Sequence, residues 1–226
     1  MAEKGLKALR GPTYRIIDPL VRWLIRRGVH PNAISTVGFV ATLVAGLMYH
    51  QDHVRTAGFL VLIGGLVDVF DGRVARESGL ESKFGAFYDS TLDRWSEVVM
   101  FVGLASLYNT IRSDVEDVAM IYVILMALGG SLMVSYTRAR AEGLGLACTV
   151  GLMQRAERIV LLGFGSLLFG LAWNGLVLDI VIIIVAVLTN LTAIHRIIWV
   201  YQHAKGVPLD RIQPGSSSGG EQGSNG

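Results

Sequence analysis

Four aspartates lie at the facing ends of two adjoining apolar segments, and a chain that crosses a membrane tolerates such a cluster of negative charge poorly. Asp68 and Asp71 close the apolar run 57–70, and Asp89 and Asp93 open the next one. Each carboxylate inside a membrane segment costs at least about 2.5–3.5 kcal/mol. The two pairs are spaced three and four residues apart, so each pair projects from one face of its helix. Such a cluster predicts a bound cation that neutralises it.

The rest of the chain has the composition of a membrane protein. It has 226 residues, of which 52% are hydrophobic, and a mean hydropathy of +0.50, too apolar for an ordinary soluble domain. A net charge of only +2 indicates no general nucleic-acid-binding surface. The single cysteine, Cys148, cannot form an internal disulfide, so the fold does not depend on oxidation.

The apolar pattern predicts an all-α integral membrane fold with six transmembrane helices. Most of the apolar segments approach the ~20 residues that cross a bilayer. Before them, residues 14–27 carry apolar side chains at helical spacing, with Trp23 and arginines among them. This pattern is typical of an amphipathic helix at the membrane interface, with an ordinary core helix as the alternative. The six segments are residues 33–49, 57–75, 88–108, 118–137, 157–173 and 176–200.

These segments divide the chain into three parts. We expect residues 1–29 to form a cytoplasmic N-terminal segment that carries the interfacial helix. Residues 30–205 should form the six-helix domain. Residues 206–226 should be a disordered cytoplasmic tail, because the sequence there is dominated by glycine and serine.

Basic residues predict which side of the membrane carries the aspartates. Of the 20 lysines and arginines, all but Arg55 and Arg112 fall on the side that holds both termini and the turn between the two aspartate pairs. Lysine and arginine are enriched in cytoplasmic loops. Both termini and the aspartate cluster should therefore face the cytoplasm, and the even number of spans agrees with this.

The aspartates suit hard divalent cations. Carboxylate oxygens are preferred ligands of Mg²⁺ and Mn²⁺, and two metal ions held by Asp68, Asp71, Asp89 and Asp93 would be suited to chemistry on phosphate esters. The structural alternative is a network of salt bridges that joins these carboxylates to Arg73, Arg76 and Arg94. Pairing of that kind does not explain the glycines that occur between the aspartates at fixed spacing.

The aspartates belong to a longer pattern that begins at Asp68 and ends at Asp93. The pattern D-x2-D-G-x2-A-R-x8-G-x3-D-x3-D resembles the signature of the CDP-alcohol phosphotransferase family, and every signature position is present. Together with the six spans and the amphipathic helix, the resemblance covers nearly all of residues 10–205. It implies metal-dependent transfer of a substituted phosphate group from a CDP-linked donor to an alcohol, with release of CMP.

The resemblance also implies roles for single residues. Asp93 would accept the proton of the attacking hydroxyl and also touch a metal, whereas Asp68, Asp71 and Asp89 would be mainly metal ligands. The small residues leave room for a ligand, and Arg76 can make paired hydrogen bonds to a diphosphate. The residues expected to bind the CDP-lipid are Asn32, Ser35, Gly72, Ala75, Arg76, Ser82 and Gly85. The first two could instead cap the helix of the first span.

A second set of basic residues predicts an anionic acceptor. The stretches SYTRARAE (residues 135–142) and QRAER (residues 154–158) and Arg196 should lie on the cytoplasmic side, where clustered guanidiniums suit a phosphate monoester. Ordinary juxtamembrane charge explains some of them, but Arg196 follows an apolar run in which an unpaired charge is costly. Both stretches resemble prokaryotic phosphatidylinositol-phosphate synthases, although Ala156 stands where that group is expected to carry proline.

That likeness implies transfer from CDP-diacylglycerol to inositol 1-phosphate at the cytoplasmic face of a prokaryotic membrane, by a homodimer. The acceptor phosphate would bind Ser135, Arg138, Arg158 and Arg196. One alternative is a phosphatidylglycerolphosphate synthase, which uses glycerol 3-phosphate. Another is a divalent-cation transporter, since carboxylates in membranes also mark ion paths, although a transporter usually places its site near the midplane.

Overall fold

The structure, a computed structural model, describes residues 18–110 and 115–206, and these ranges contain helices and no strand. The prediction of an all-α fold is therefore confirmed. The first four residues of the predicted amphipathic helix and the tail after Gly206 lie outside the described residues. The helices are residues 18–26 (α1), Pro31–His50 (α2), Val54–Ser78 (α3), Lys83–Thr110 (α4), Val115–Gly143 (α5), Arg155–Phe164 (α6) and Leu176–Ala204 (α7).

The helices differ in how well they suit a bilayer. Among the described residues, three stretches are long and apolar enough to cross a membrane, namely Pro31–His50, Val118–Gly143 and Ala172–Ala204. By length and composition, these stretches indicate a membrane protein. α3 and α4 are also long, at 25 and 28 residues, but the charges of the signature lower their hydropathy.

The predicted span 157–173 is not one continuous α-helix. α6 has 10 residues and is followed by a π-helical turn, Gly165–Phe169. Gly170 then adopts φ +54°, a left-handed conformation that glycine tolerates best, and a short 3₁₀ turn, Ala172–Gly175, leads into α7. The chain therefore reverses direction through irregular backbone rather than through a simple loop.

α1 packs on the start of α2 and the end of α3. Val21 is fully buried there, whereas Leu20 and Trp23 on other faces are exposed. The guanidinium of Arg73 in α3 donates a 2.5 Å hydrogen bond to the carboxylate of Asp18. α1 is therefore fixed to the bundle on one side and presents apolar side chains on another.

Glycines allow the helices to pack backbone against backbone. A Cβ atom built at Gly103 of α4 would lie 2.7 Å from the Cα and the carbonyl oxygen of Gly46 in α2. One built at Gly58 of α3 would lie 2.7 Å from the carbonyl oxygen of Gly163 in α6. Small residues commonly permit such close approach between membrane helices.

The apolar core and the signature occupy opposite ends of the bundle. The core contains Tyr49 at the end of α2, Val54 at the start of α3, Leu104 in the second half of α4 and Ile182 in the first half of α7. The signature lies at the other ends of α3 and α4. One half of the bundle is therefore packed with apolar side chains, and the other half holds polar ones.

The contact between Gly46 and Gly103 provides a test of the packing. Gly103→Ala places a methyl group where the backbone of α2 lies, and overpacking of this kind costs about 1–3 kcal/mol. We expect a lower Tm for the detergent-solubilised protein. Gly129→Ala is the matched control, because a Cβ at Gly129 meets no atom within 4 Å. Equal Tm values for Gly103→Ala and the unsubstituted protein would contradict the packing.

Candidate functional site

A first pocket lies where the start of α2 meets the end of α3 and the start of α4. Its volume is about 200 Å³, and Asp71 and Asp89 are on its wall. The structure brings together here every residue that the sequence predicted to bind a CDP-lipid. These residues are Asn32, Ser35, Gly72, Ala75, Arg76, Ser82 and Gly85.

The absence of a side chain at Gly85 keeps part of this pocket open. A Cβ atom there would lie 3.0 Å from the hydroxyl oxygen of Ser82 and 3.3 Å from the amide oxygen of Asn32. The backbone N–H of Gly85 donates a 2.9 Å hydrogen bond to the same hydroxyl. At Gly72 the nearest atoms to an added Cβ belong to the guanidinium of Arg76, at 3.4 Å. Larger residues at either position would take up space beside polar groups of the pocket.

Asn32 and Ser35 do not cap α2 through their side chains. The cap is His30, whose Nδ1 accepts a 3.2 Å hydrogen bond from the backbone N–H of Asn32. The Ser35 hydroxyl instead donates a 2.5 Å hydrogen bond to the carboxylate of Asp71. The capping alternative is therefore wrong, and both residues line the pocket.

The structure brings the signature aspartates together, because Asp71 and Asp89 line the first pocket and Asp68 and Asp93 contact the same arginine. Between two of them lies Arg155, the first residue of α6. One of its terminal nitrogens donates to Asp68, and the other lies 2.9 Å from a carboxylate oxygen of Asp93. Arg155 therefore joins α6 to both helices of the signature.

The aspartate cluster fits a hard cation by its chemistry but is not a closed ligand cage in this conformation. In the part of the chain that the structure describes, no three acidic, histidine or cysteine side chains are arranged to hold a metal ion. Arg155 stands between Asp68 and Asp93, and Ser35 binds Asp71. The position between the two helices nevertheless accepts positive charge, because a guanidinium already lies there.

The salt-bridge alternative holds only in part. Arg73 pairs with Asp18 and Glu77 rather than with the signature aspartates. Arg94 lies 3.8 Å from an oxygen of Asp93, a loose contact. The arginine that contacts the aspartates most closely is Arg155 of α6, which is distant from them in sequence. Pairing with arginines that neighbour the aspartates in sequence therefore does not explain the cluster.

A second pocket opens beside the first, between α4, α5, α6 and α7. Its volume is about 220 Å³, and its wall includes Asp93, Glu97 and Arg155. Asp93 borders this pocket, whereas Asp89, one helical turn earlier, borders the first. The second pocket also brings together the residues predicted to bind an acceptor phosphate, which are Ser135, Arg138, Arg158 and Arg196.

Two arginines of the second pocket are buried. The exposed fractions of Arg158 and Arg196 are 1% and 2%. Arg158 donates to the carboxylate of Glu97. Arg196 donates to the carbonyl oxygens of Val150 and Val134, at 2.8 and 2.5 Å. Both guanidiniums are thus held at the pocket wall by defined hydrogen bonds. By contrast, the pair formed by Arg138 and Glu142 is about half exposed.

The sequence did not lead us to identify Glu97 as a site residue, and it predicted no contact between Arg155 and the aspartates. A signal for Glu97 was present, because Asp89, Asp93 and Glu97 follow one another at four-residue spacing and therefore share one face of α4. For Arg155 the sequence indicated only a basic stretch near the membrane. Its pairing with Asp68 depends on how α6 packs against α3.

Comparison with known proteins identifies the family. The family CDP-alcohol phosphatidyltransferase matches residues 28–194, a range that contains all four signature aspartates. The chain belongs to this family and is a transferase of phospholipid biosynthesis. The resemblance seen in the sequence is confirmed, and the alternative of a divalent-cation transporter is wrong.

Several relatives of the chain are named as synthases of archaetidylinositol phosphate or phosphatidylinositol phosphate. The archaetidylinositol phosphate synthase of Methanothermobacter thermautotrophicus is 36% identical over 204 residues, which cover 90% of this chain and 97% of that protein. The phosphatidylinositol phosphate synthase of Streptomyces avermitilis is 35% identical over 193 residues, covering 82% of this chain and 78% of that protein.

A solved structure has the same fold. The phosphatidylinositol phosphate synthase of Mycobacterium tuberculosis with CDP-DAG bound superposes with a TM-score of 0.74 at 28% identity, covering 83% of this chain and 94% of that chain. The same enzyme in complex with manganese and citrate gives a TM-score of 0.73.

Proposed function

We propose that this enzyme transfers a phosphatidyl group from CDP-diacylglycerol to a hydroxyl of inositol 1-phosphate and releases CMP. The observation that carries the proposal is the meeting of two pockets at one turn of α4. The pocket at Asp89 holds the residues expected to bind the nucleotide, and the pocket at Asp93 is lined by arginines. The structural relative with CDP-DAG bound supports this donor, and the names of the relatives support an acceptor of the inositol phosphate class.

The donor would place its CDP headgroup in the first pocket. Arg76 offers a guanidinium for the diphosphate, and the backbone near Gly72 and Gly85 leaves room for a ligand. An apolar groove of about 460 Å³ between α3 and α6 ends at Asp68 and Arg155, which suits lipid chains entering from the bilayer. CDP-DAG bound to the structural relative supports this assignment.

The aspartates would hold the metal ions, as two Mg²⁺ or Mn²⁺ ions bound by Asp68, Asp71, Asp89 and Asp93. Bound divalent cations would neutralise the phosphate oxygens of the donor and make its β-phosphorus more electrophilic. The manganese complex of the structural relative supports a metal of this kind.

Asp93 would act as the general base. It borders the acceptor pocket and adjoins the rest of the aspartate cluster. Its carboxylate would take the proton of the acceptor hydroxyl while the hydroxyl oxygen bonds to the β-phosphorus. The bond between that phosphorus and the oxygen of CMP breaks, and the lipid phosphate stays on the acceptor.

The substitution Asp93→Asn tests the role of this residue in catalysis without removing its side chain from the fold. Asp93→Asn keeps the size of the side chain but cannot accept the proton, so transfer should fall about 10²–10⁴-fold while CDP-diacylglycerol still binds. Asp68→Ala should instead weaken Mn²⁺ binding as well as transfer. Both effects are measured by CMP release and by Mn²⁺ titration followed by electron paramagnetic resonance. Near-normal turnover of Asp93→Asn would contradict the assignment of the base.

The arginines of the second pocket favour a phosphorylated acceptor. A phosphate dianion could accept charge-assisted hydrogen bonds from several guanidiniums, each contributing about 1.5–3 kcal/mol. A neutral polyol would gain much less from the same groups. Ser135 and Arg138 complete the expected set with Arg158 and Arg196, and all four line one pocket.

The acceptor is tested by comparing three substrates. We expect inositol 1-phosphate to be used well, free inositol poorly and glycerol 3-phosphate weakly. Arg158→Ala and Arg196→Ala should each raise the acceptor KM about ten- to a hundredfold, with little change in the KM for CDP-diacylglycerol. Arg55→Ala, at the opposite end of the bundle, is the control. Better use of glycerol 3-phosphate would favour a phosphatidylglycerolphosphate synthase instead.

We also propose how the chain sits in a prokaryotic cytoplasmic membrane. The bundle of residues 30–205 would cross it six times, with α1 of the 1–29 segment at the interface and the 206–226 tail in the cytoplasm. Exposed Leu20 and Trp23 on α1 support an interfacial position. Both pockets lie at the end that carries most of the basic residues, which supports a cytoplasmic site. A homodimer is proposed from the family resemblance.

Cysteine labelling tests this orientation. A cysteine introduced within residues 109–117, which connect α4 to α5, should react with a membrane-impermeant maleimide on intact cells, and one within residues 77–83, which connect α3 to α4, should not. The native Cys148 is fully buried, so the unsubstituted protein is the background control. The reverse labelling pattern would contradict a cytoplasmic site.

A further inference from the structure

Glu97 is a buried acid at the wall of the second pocket. It lies one helical turn beyond Asp93 on α4, and its side chain is 4% exposed. Oxygen Oε1 accepts a hydrogen bond from a terminal nitrogen of Arg158. A buried carboxylate is costly unless it is paired, so this ion pair joins α4 to α6 beneath the pocket.

The second oxygen of Glu97 indicates a further contact. Glu97 Oε2 and Arg155 Nε are both buried, and neither has a hydrogen-bond partner among the described residues. The two residues also line a cavity of about 10 Å³, together with Thr42 and Ser96. This is room for about one water molecule with several polar neighbours. Such a water would accept from Arg155 Nε and donate to Glu97 Oε2.

Glu97 thus stands between the two arginines of α6. Arg158 contacts it directly, and Arg155 lies across the small cavity while its terminal nitrogens bind Asp68 and Asp93. Guanidinium groups only donate hydrogen bonds, and an ionised carboxylate only accepts them. Glu97 is therefore suited to hold both arginines at once.

We infer that Glu97 is a positioning residue for the acceptor pocket, which fixes Arg158 directly and Arg155 through a buried water. Ordering a long arginine side chain costs affinity if it happens only on binding. A carboxylate that orders it beforehand lowers that cost. The exposed pair of Arg138 and Glu142 cannot do the same, because surface ion pairs hold their partners weakly. The inference rests on the proposed function, since it takes the pocket to bind a phosphorylated acceptor.

Glu97→Gln tests this role with little change of shape. The amide oxygen can still accept from Arg158, but the amide is uncharged and its nitrogen is a donor, so it offers no acceptor to the water beside Arg155. We expect the KM for inositol 1-phosphate to rise about tenfold and the KM for CDP-diacylglycerol to change less than about twofold. Glu77→Gln is the matched control, because Glu77 accepts a 2.7 Å hydrogen bond from Arg73 outside the second pocket.

A second variant tests whether Glu97 acts through Arg158. Glu97→Gln combined with Arg158→Gln removes both charges of the pair. If Glu97 acts chiefly through Arg158, the acceptor KM of the double variant should lie within about threefold of that of Arg158→Gln alone. A further tenfold rise in the double variant would overturn the direct role through Arg158, and an unchanged or lower acceptor KM in Glu97→Gln would overturn the inference as a whole. The proposed function fails separately, if Arg158→Gln itself leaves the acceptor KM unchanged.

Discussion

Neutralising the carboxylates at the ends of α3 and α4 is the requirement on which the rest of the site depends. The structure meets it with Arg155, whose guanidinium binds Asp68 and Asp93 on two different helices. Three residues further along α6, Arg158 pairs with the buried Glu97 of α4. Removing one member of a buried pair leaves an uncompensated charge. Ion pairs therefore join the start of α6 to α3 and α4. Further along α6, Gly163 packs closely against Gly58 of α3.

This arrangement explains why the two pockets can lie side by side. The apolar core occupies the half of the bundle opposite to the signature. The half that contains the signature can therefore hold polar side chains, because the core does not depend on it. α4 presents Asp89 to one pocket and Asp93 to the other, one helical turn apart. A donor phosphate and an acceptor hydroxyl bound in these pockets would approach each other at that turn, as group transfer requires.

Much of this was predictable from sequence, because the signature fixes the spacing of its residues. The residues expected to bind the donor line one pocket, and those expected to bind the acceptor phosphate line another. The break after α6 was not predictable, because apolar periodicity does not report a π-helical turn or the left-handed Gly170. Nor was the pairing of Glu97 with Arg158, which lies 61 positions later and depends on helix packing.

The most direct test of the account follows the acceptor phosphate into the product. Purified enzyme would be incubated with CDP-diacylglycerol, Mg²⁺ or Mn²⁺, and inositol 1-phosphate labelled with radioactive phosphorus. We predict that the label moves into the lipid phase, with one CMP released for each labelled lipid, and that a chelator stops both. CMP release while the label stays in the aqueous phase would contradict the central claim that the arginine pocket presents a phosphorylated inositol to the CDP-lipid.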